Sequence, residues 1–267
     1  MFEFALAGLR SGIRGRSFQA VFFLGLALIG IAYLSGYFSP RQPRTVALDV
    51  GLSGFRFSLV LLNLFWVQEL VAREIDRRTV LFSLAYPVPR GAFLLGRFLA
   101  VLVLSFLAAV IMGLLLGIAV VFAGGQFVQE FPISVGSAYW AVLGGLWLDA
   151  AVVAAFTLCM ASLATVSFLP LVLGAAFAIA GKALGAALDY IGRGADGDME
   201  LVSRFSPLLD AVRWVLPDLS RLDWREWPMY GLMPKLELMG YSSLMALAYV
   251  GLMVAVAIAQ FSKREFA

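Results

Sequence analysis

Six stretches of this chain are long and apolar enough to cross a lipid bilayer, and that constrains it more than any motif does. A spanning helix needs about 20 mostly apolar residues. Such runs extend from Phe18 to Phe38, Gly54 to Val71, Phe98 to Phe122, Ala138 to Val166, Phe168 to Leu188 and Tyr241 to Phe261. Of the 267 residues, 62% are hydrophobic and only 14% charged. Water-soluble domains carry about 25% charged residues, so this chain cannot cover itself with a polar surface. It predicts an all-α, polytopic membrane protein with six transmembrane helices, forming one transmembrane domain over residues 1–267. Ser167 and Pro170 break the fourth and fifth runs apart and predict a tight helical hairpin.

The first run is too long for a cleaved leader, and Ser35-Gly36-Tyr37-Phe38-Ser39-Pro40 lacks a small-x-small cleavage pattern, so it is expected to be retained. Before it, Phe2, Leu6, Leu9 and Ile13 recur at helical spacing, with Glu3, Arg10, Arg14 and Ser17 opposite. Residues 1–17 therefore read as an amphipathic helix lying in the membrane surface, or else as a plain basic flank that sets topology.

Lys and Arg in short loops favour the cytoplasmic side. Arg10, Arg14 and Arg16 precede the first run, and Arg73, Arg77, Arg78, Arg90 and Arg97 follow the second. Lys263 and Arg264 close the chain. An even number of spans puts all three groups on one side, which predicts a multi-pass protein of the cell membrane (the inner membrane in a Gram-negative bacterium) with both termini cytoplasmic. The opposite side then holds a long external segment, residues 189–240, with nine acids against six bases. Within it, Leu201, Phe205, Leu208, Val212 and Val215 predict a membrane-associated helix over Leu201–Leu216, and 52 residues without structure would be unusual.

Histidine is absent, which excludes bis-histidine haem, histidine-ligated zinc and imidazole-dependent catalysis. The single cysteine, Cys159, excludes an intrachain disulfide and a cysteine metal cluster. The net charge of +3 is modest, and the basic residues read as topology signals rather than a nucleic-acid footprint.

The stretch from Arg73 to Phe98 carries the densest pattern. Glu69 with Arg73, and Glu74 with Arg78, are acid-before-base pairs at four-residue spacing and support a short helix, which Pro87 and Pro89 stop. Glu74, Thr79, Leu81, Leu84, Pro87, Arg90, Gly96 and Arg97 resemble the cytoplasmic loop between the second and third spans of type-2 ABC-exporter permeases. Arg78 stands where many members have Gly, and Arg97 where Lys is usual. Leu216-Pro217-Asp218-Leu219-Ser220-Arg221-Leu222-Asp223 is similar to a segment before the sixth span in the same family.

The resemblance implies the membrane half of an ATP-driven exporter. Residues 69–97 would be a cytoplasmic coupling loop. Glu74, Asp76, Arg77, Arg78, Thr79, Pro87 and Arg90 would contact a separate ATP-binding subunit, which would hold ATP and magnesium. A second permease copy would complete a dimer, and an external protein is a further partner to look for. No enzyme activity is expected of this chain itself. Gly181-Lys182-Ala183 is the nearest thing to a phosphate-binding loop; it has Ala176 where glycine is needed and no Ser or Thr after the lysine.

Asp149 and Lys182 lie well inside the fourth and fifth runs. Intramembrane charges are expensive and are usually paired or functional. An ion pair joining the two helices, a substrate or proton path, and snorkelling of Lys182 without a partner are the three readings. Gly113 with Gly117, and Gly181 with Gly185, have the spacing that allows close helix approach or a dimer contact. Trp66, Trp140 and Trp147 read as interface anchors or packing.

The principal alternative to an ATP-driven permease is an ATP-independent secondary transporter or channel, which would normally show internal repeats, broken helices or more buried charge. An intramembrane serine protease lacks a base near its serine, since no serine lies close in sequence to Lys182. A scaffold or biogenesis factor is the remaining class. The sequence leaves the cargo open.

Overall fold

Inside a bilayer every peptide N–H and C=O must find its partner within the protein, so an apolar run of this length folds as a helix. A computed structural model of the protein describes residues 2–76, 90–123, 133–192, 200, 203–205, 207 and 217–263. Those residues form an all-α structure. In chain order the helices are α1 (Phe2–Arg14), α2 (Arg16–Tyr37), α3 (Pro43–Val67), α4 (Arg73–Asp76), α5 (Arg90–Phe122), α6 (Ser137–Leu163), α7 (Leu169–Gly192), α8 (Glu226–Tyr230) and α9 (Leu236–Lys263). A π-helical turn, Gln68–Ala72, joins α3 to α4 without a break, and a 3-10 turn, Leu219–Leu222, precedes α8. Six helices are long and apolar enough to span: α2, α3 continued to Asp76, α5, α6, α7 and α9. Six crossings bring α1 and the end of α9 to one face of the bundle, here the terminal end. The opposite, distal end carries residues 217–235.

Burial sorts the spans into layers. Seven consecutive residues of α6, Asp149 to Ala155, are all buried, so this helix is enclosed on every side along that stretch. It packs against α3, α7 and α9. The inner face of α3 carries Leu48, Leu52, Phe55, Leu59 and Leu62, all fully buried. Lipid tails are as apolar as leucine, so contact between spans is favoured by close packing and polar pairs rather than by escape from water. α2 lies along α3 and leaves Phe23, Ile31 and Leu34 exposed on its far side.

α1 is an amphipathic helix docked lengthwise on α5. Phe4 meets Phe93 edge-on at 5.7 Å between ring centroids, and Trp66 Nε1 donates to the Gly12 carbonyl at 3.2 Å. Leu6 and Ile13 stay exposed on the other face. Gly15 takes an extended conformation and separates α1 from α2.

Three spans start five or more residues earlier than their apolar runs. The second begins at Pro43 instead of Gly54, the third at Arg90 instead of Phe98, and the sixth at Leu236 instead of Tyr241. In the second span the cause is specific. Asp49 and Arg56 interrupt the apolar pattern, but both are ion-paired to distant parts of the chain, which removes their cost inside a helix. The fourth and fifth spans form the hairpin the sequence predicts, with Phe156 and Phe177 stacked across it at 4.1 Å.

Both glycine pairs meet parts of the same chain. Tyr139 of α6 donates its hydroxyl to the Gly113 carbonyl at 2.5 Å, and Leu143 fills the space beside that glycine. Gly181 and Gly185 face the distal segment instead of a helix. The expected helix over Leu201–Leu216 falls mostly outside the described residues; 203–205 and 207 within it are helical.

Candidate functional site

Six charged side chains gather where α3, α6 and α7 meet the distal segment. Asp149, 1% exposed, accepts a hydrogen bond from Arg56 Nε of α3. Lys182 of α7 donates to Asp223 at 2.5 Å. Arg225 bridges Asp223, at 2.8 Å, and Asp49 of α3, at 2.7 Å, and also reaches the Ser53 hydroxyl at 3.0 Å. The set holds three bases and three acids, so it is neutral as a whole. Intramembrane charge is tolerated when matched in this way.

The expected direct pair between Asp149 and Lys182 is therefore replaced by two others. Sequence reasoning misses Arg56 because the apolar run of the second span begins only at Gly54, which puts Arg56 at the water boundary. With α3 beginning at Pro43, Arg56 lies thirteen residues into the helix, about 20 Å along it at 1.5 Å per residue. Asp149 lies twelve residues into α6, a similar depth. Lys182, nearer the distal end of α7, meets a carboxylate that descends to it. Asp149 Oδ1 has no hydrogen-bond partner among the described residues.

Asp223 descends because its segment is built to fit between helices. Asp218 caps the 3-10 turn, accepting from the Ser220 amide at 3.1 Å and from the Ser220 hydroxyl at 2.6 Å. Leu219 and Leu222 point into the core and are fully buried or nearly so. Glycines make room for this backbone. A Cβ on Gly145 of α6 would sit 2.3 Å from the Leu222 carbonyl oxygen, and one on Gly185 of α7 would sit 1.9 Å from the Ser220 hydroxyl. Irregular backbone at such a position is tolerated where protein covers it. Burial alone would raise the Asp223 carboxyl, but the hydrogen bonds and charge of Arg225, with the charge of Lys182, outweigh it and hold the group below the usual range.

A second charged cluster sits at the terminal end. Glu69, on the π-helical turn, accepts from Ser17 at 2.5 Å and lies 3.6 Å from Arg73. Glu74 of α4 accepts from Arg97 Nη2 of α5 at 2.6 Å. Arg97 is 7% exposed, its guanidinium lies 5.5 Å from the Phe93 ring centre, and its Nε and Nη1 have no hydrogen-bond partner among the described residues. The helix expected after the second span thus runs to Asp76 as a continuation of that span, and Asp76 is exposed. Arg77, Arg78, Thr79 and Pro87 lie outside the described residues, as does the Glu74–Arg78 spacing; Arg90 opens α5.

The two clusters do different things. The distal one fixes a non-helical segment to three spans. The terminal one joins the ends of the second and third spans to each other and to the start of the first. No protein-family model matches this chain, and no curated protein does either.

Proposed function

We propose that this multi-pass membrane protein is the permease subunit of an ATP-driven transporter of the type-2 ABC-exporter class. A separate subunit would bind ATP and magnesium, and a second permease copy would complete the transporter. The observation that carries the reading is the Glu74–Arg97 pair at 2.6 Å. It clamps the end of the second span to the start of the third, so whatever docks on the chain between them moves both helices together. Ser17 and Glu69 extend the clamp to the first span. A guanidinium buried at the end of a span costs energy, and its pairing with Glu74 across two spans supports a role in holding those spans together under load. In this reading both termini and Asp76 face the cytoplasm, and cargo leaves toward the distal side.

Exposed charge at Asp76 supplies the test. Asp76→Arg leaves the clamp intact, so the six spans should remain folded. Capture of the ATP-binding subunit should weaken by about 2–5 kcal/mol if Asp76 is paired at the interface, and ATPase activity of the purified complex should fall with it. Cargo movement by the purified chain alone, driven by a gradient and insensitive to Asp76→Arg, would refute the proposal.

One observation favours a second reading, an ATP-independent secondary transporter or channel. The Arg56–Asp149 pair sits at mid-depth, where coupling-ion sites of such proteins are found. Gradient-driven transport lost in Asp149→Asn would select it.

A further inference from the structure

A cavity of about 630 Å³ opens between the distal segment and the start of α9. Its lining is of two kinds. Arg221, Trp224 and Tyr241 bring polar groups, and Leu238, Met239 and Met245 are apolar. The polar groups of the distal segment are held in place. Arg221 Nε donates to Asp218 at 3.1 Å, and Trp224 Nε1 donates to the Arg221 carbonyl at 2.9 Å. The two terminal nitrogens of Arg221 have no partner among the described residues. The first turn of α9 borders the same space and presents the positive end of a 28-residue helix, with the exposed Glu237 in that turn.

The surroundings place this cavity at the edge of a bilayer. Tyr241 lies five residues into α9, about 7.5 Å from its start. Trp224, Trp227 and Tyr230 cluster nearby in sequence, as aromatic side chains do at the headgroup level. From the cavity, Leu238, Tyr241, Leu244 and Leu247 follow one another at three-residue spacing, and all four are exposed. They leave the first three turns of α9 with an apolar exposed surface beside the cavity.

We propose that the cavity binds a phospholipid of the distal leaflet, with its phosphate at Arg221 and the start of α9 and one acyl chain against Leu238, Met239 and Met245. A free anion would leave the apolar lining uncovered. A helix of a second copy is about 10–12 Å across with its side chains, wide for a cavity of about 630 Å³, and an apolar one would cover the terminal nitrogens of Arg221 without an acceptor, since Asp218 meets only Nε. Methionines suit a chain of variable shape. The site stands whether or not an ATP-binding subunit drives the protein.

The test uses the full chain in detergent micelles containing phosphatidylglycerol with brominated acyl chains, which quench nearby tryptophan. The Trp224 component is isolated by difference from Trp224→Phe. Saturable quenching of that component is expected. Arg221→Gln should raise the half-saturating lipid concentration about tenfold, the loss of one charge-assisted contact, while Arg221→Lys should stay near the wild type. Native mass spectrometry of the same samples should show one phosphatidylglycerol retained by the wild type and lost in Arg221→Gln. Quenching that is linear in lipid and indifferent to Arg221→Gln would reduce the site to ordinary boundary lipid and overturn the proposal. Displacement by millimolar glycerol phosphate would overturn it too, because the headgroup alone would then be the ligand.

Discussion

Lys182 and Asp223 are 41 positions apart in sequence and 2.5 Å apart in space, and through them the distal segment is tied to the fifth span. Asp223 also holds Arg225, which reaches back to Asp49 on the second span. One carboxylate thus serves two cations, and the two ends of the Lys182–Asp223 pair are not equivalent.

That inequality is measurable. Asp223→Asn strips the carboxylate from both Lys182 and Arg225 and should lower detergent stability by about 2–4 kcal/mol. Lys182→Met leaves Asp223 paired with Arg225, and Lys182 is itself about a third exposed. Its loss should cost roughly 1 kcal/mol or less. Equal losses from the two variants, read as thermal midpoints, would contradict the shared carboxylate.

The same carboxylate sets an acid limit. Its folded-state value is held below that of an unfolded aspartate, about 3.9. Its contribution is therefore complete above that value and is lost as pH falls from there through the folded value. The stability gap between wild type and Asp223→Asn should be constant near neutrality and close below about pH 4. A gap that widened on acidification would reverse the sign and refute the assignment.

For the deeper pair, Asp149→Asn leaves Arg56 largely buried with no carboxylate, a loss of about 3–5 kcal/mol. Adding Arg56→Met should recover most of it, whereas adding Lys182→Met should not. Recovery by the lysine change would restore the Asp149–Lys182 pairing that the sequence suggested.

Gly145→Ala tests how the distal segment is seated. The new methyl would lie 2.3 Å from the Leu222 carbonyl oxygen, a backbone atom that cannot rotate away. Overpacking of this kind costs about 1–3 kcal/mol, and the segment should lift. A Ser220→Cys reporter should then react faster with a membrane-impermeant maleimide than it does beside Gly145. Cys159 is buried and contributes little background. An unchanged rate would mean that the segment is not wedged at this glycine.

Six spans, their order, the α6–α7 hairpin and the amphipathic α1 were all legible, because each is a local property of apolar spacing. The polar contacts were not. Asp149 lies 93 positions from Arg56, and Asp49 lies 176 from Arg225. No periodicity links residues so far apart. One signal was nevertheless present, since Arg56 lies within the second apolar run and Asp149 sits deep in the fourth. Two opposite charges at matching depth in different spans are natural partners. The seat for the distal segment was visible only as glycines at four-residue spacing, a pattern that also fits a helix contact.

The distances in sequence between these partners fix the order in which they become available as the chain is made. Arg56 leaves the ribosome 93 residues before Asp149, and Lys182 leaves it 41 residues before Asp223. Each cation must enter the membrane, or wait beside it, while its counter-ion does not yet exist. A charged residue at the centre of an inserting helix costs about 2.5–3.5 kcal/mol, which the flanking leucines, valines and phenylalanines of its own span must outweigh. The distal segment is then the last part of this charged set to arrive, and its docking completes the electroneutrality of helices already laid down. A chain truncated before Asp223 should therefore insert its first five spans yet leave Lys182 without a carboxylate, marked for membrane quality control.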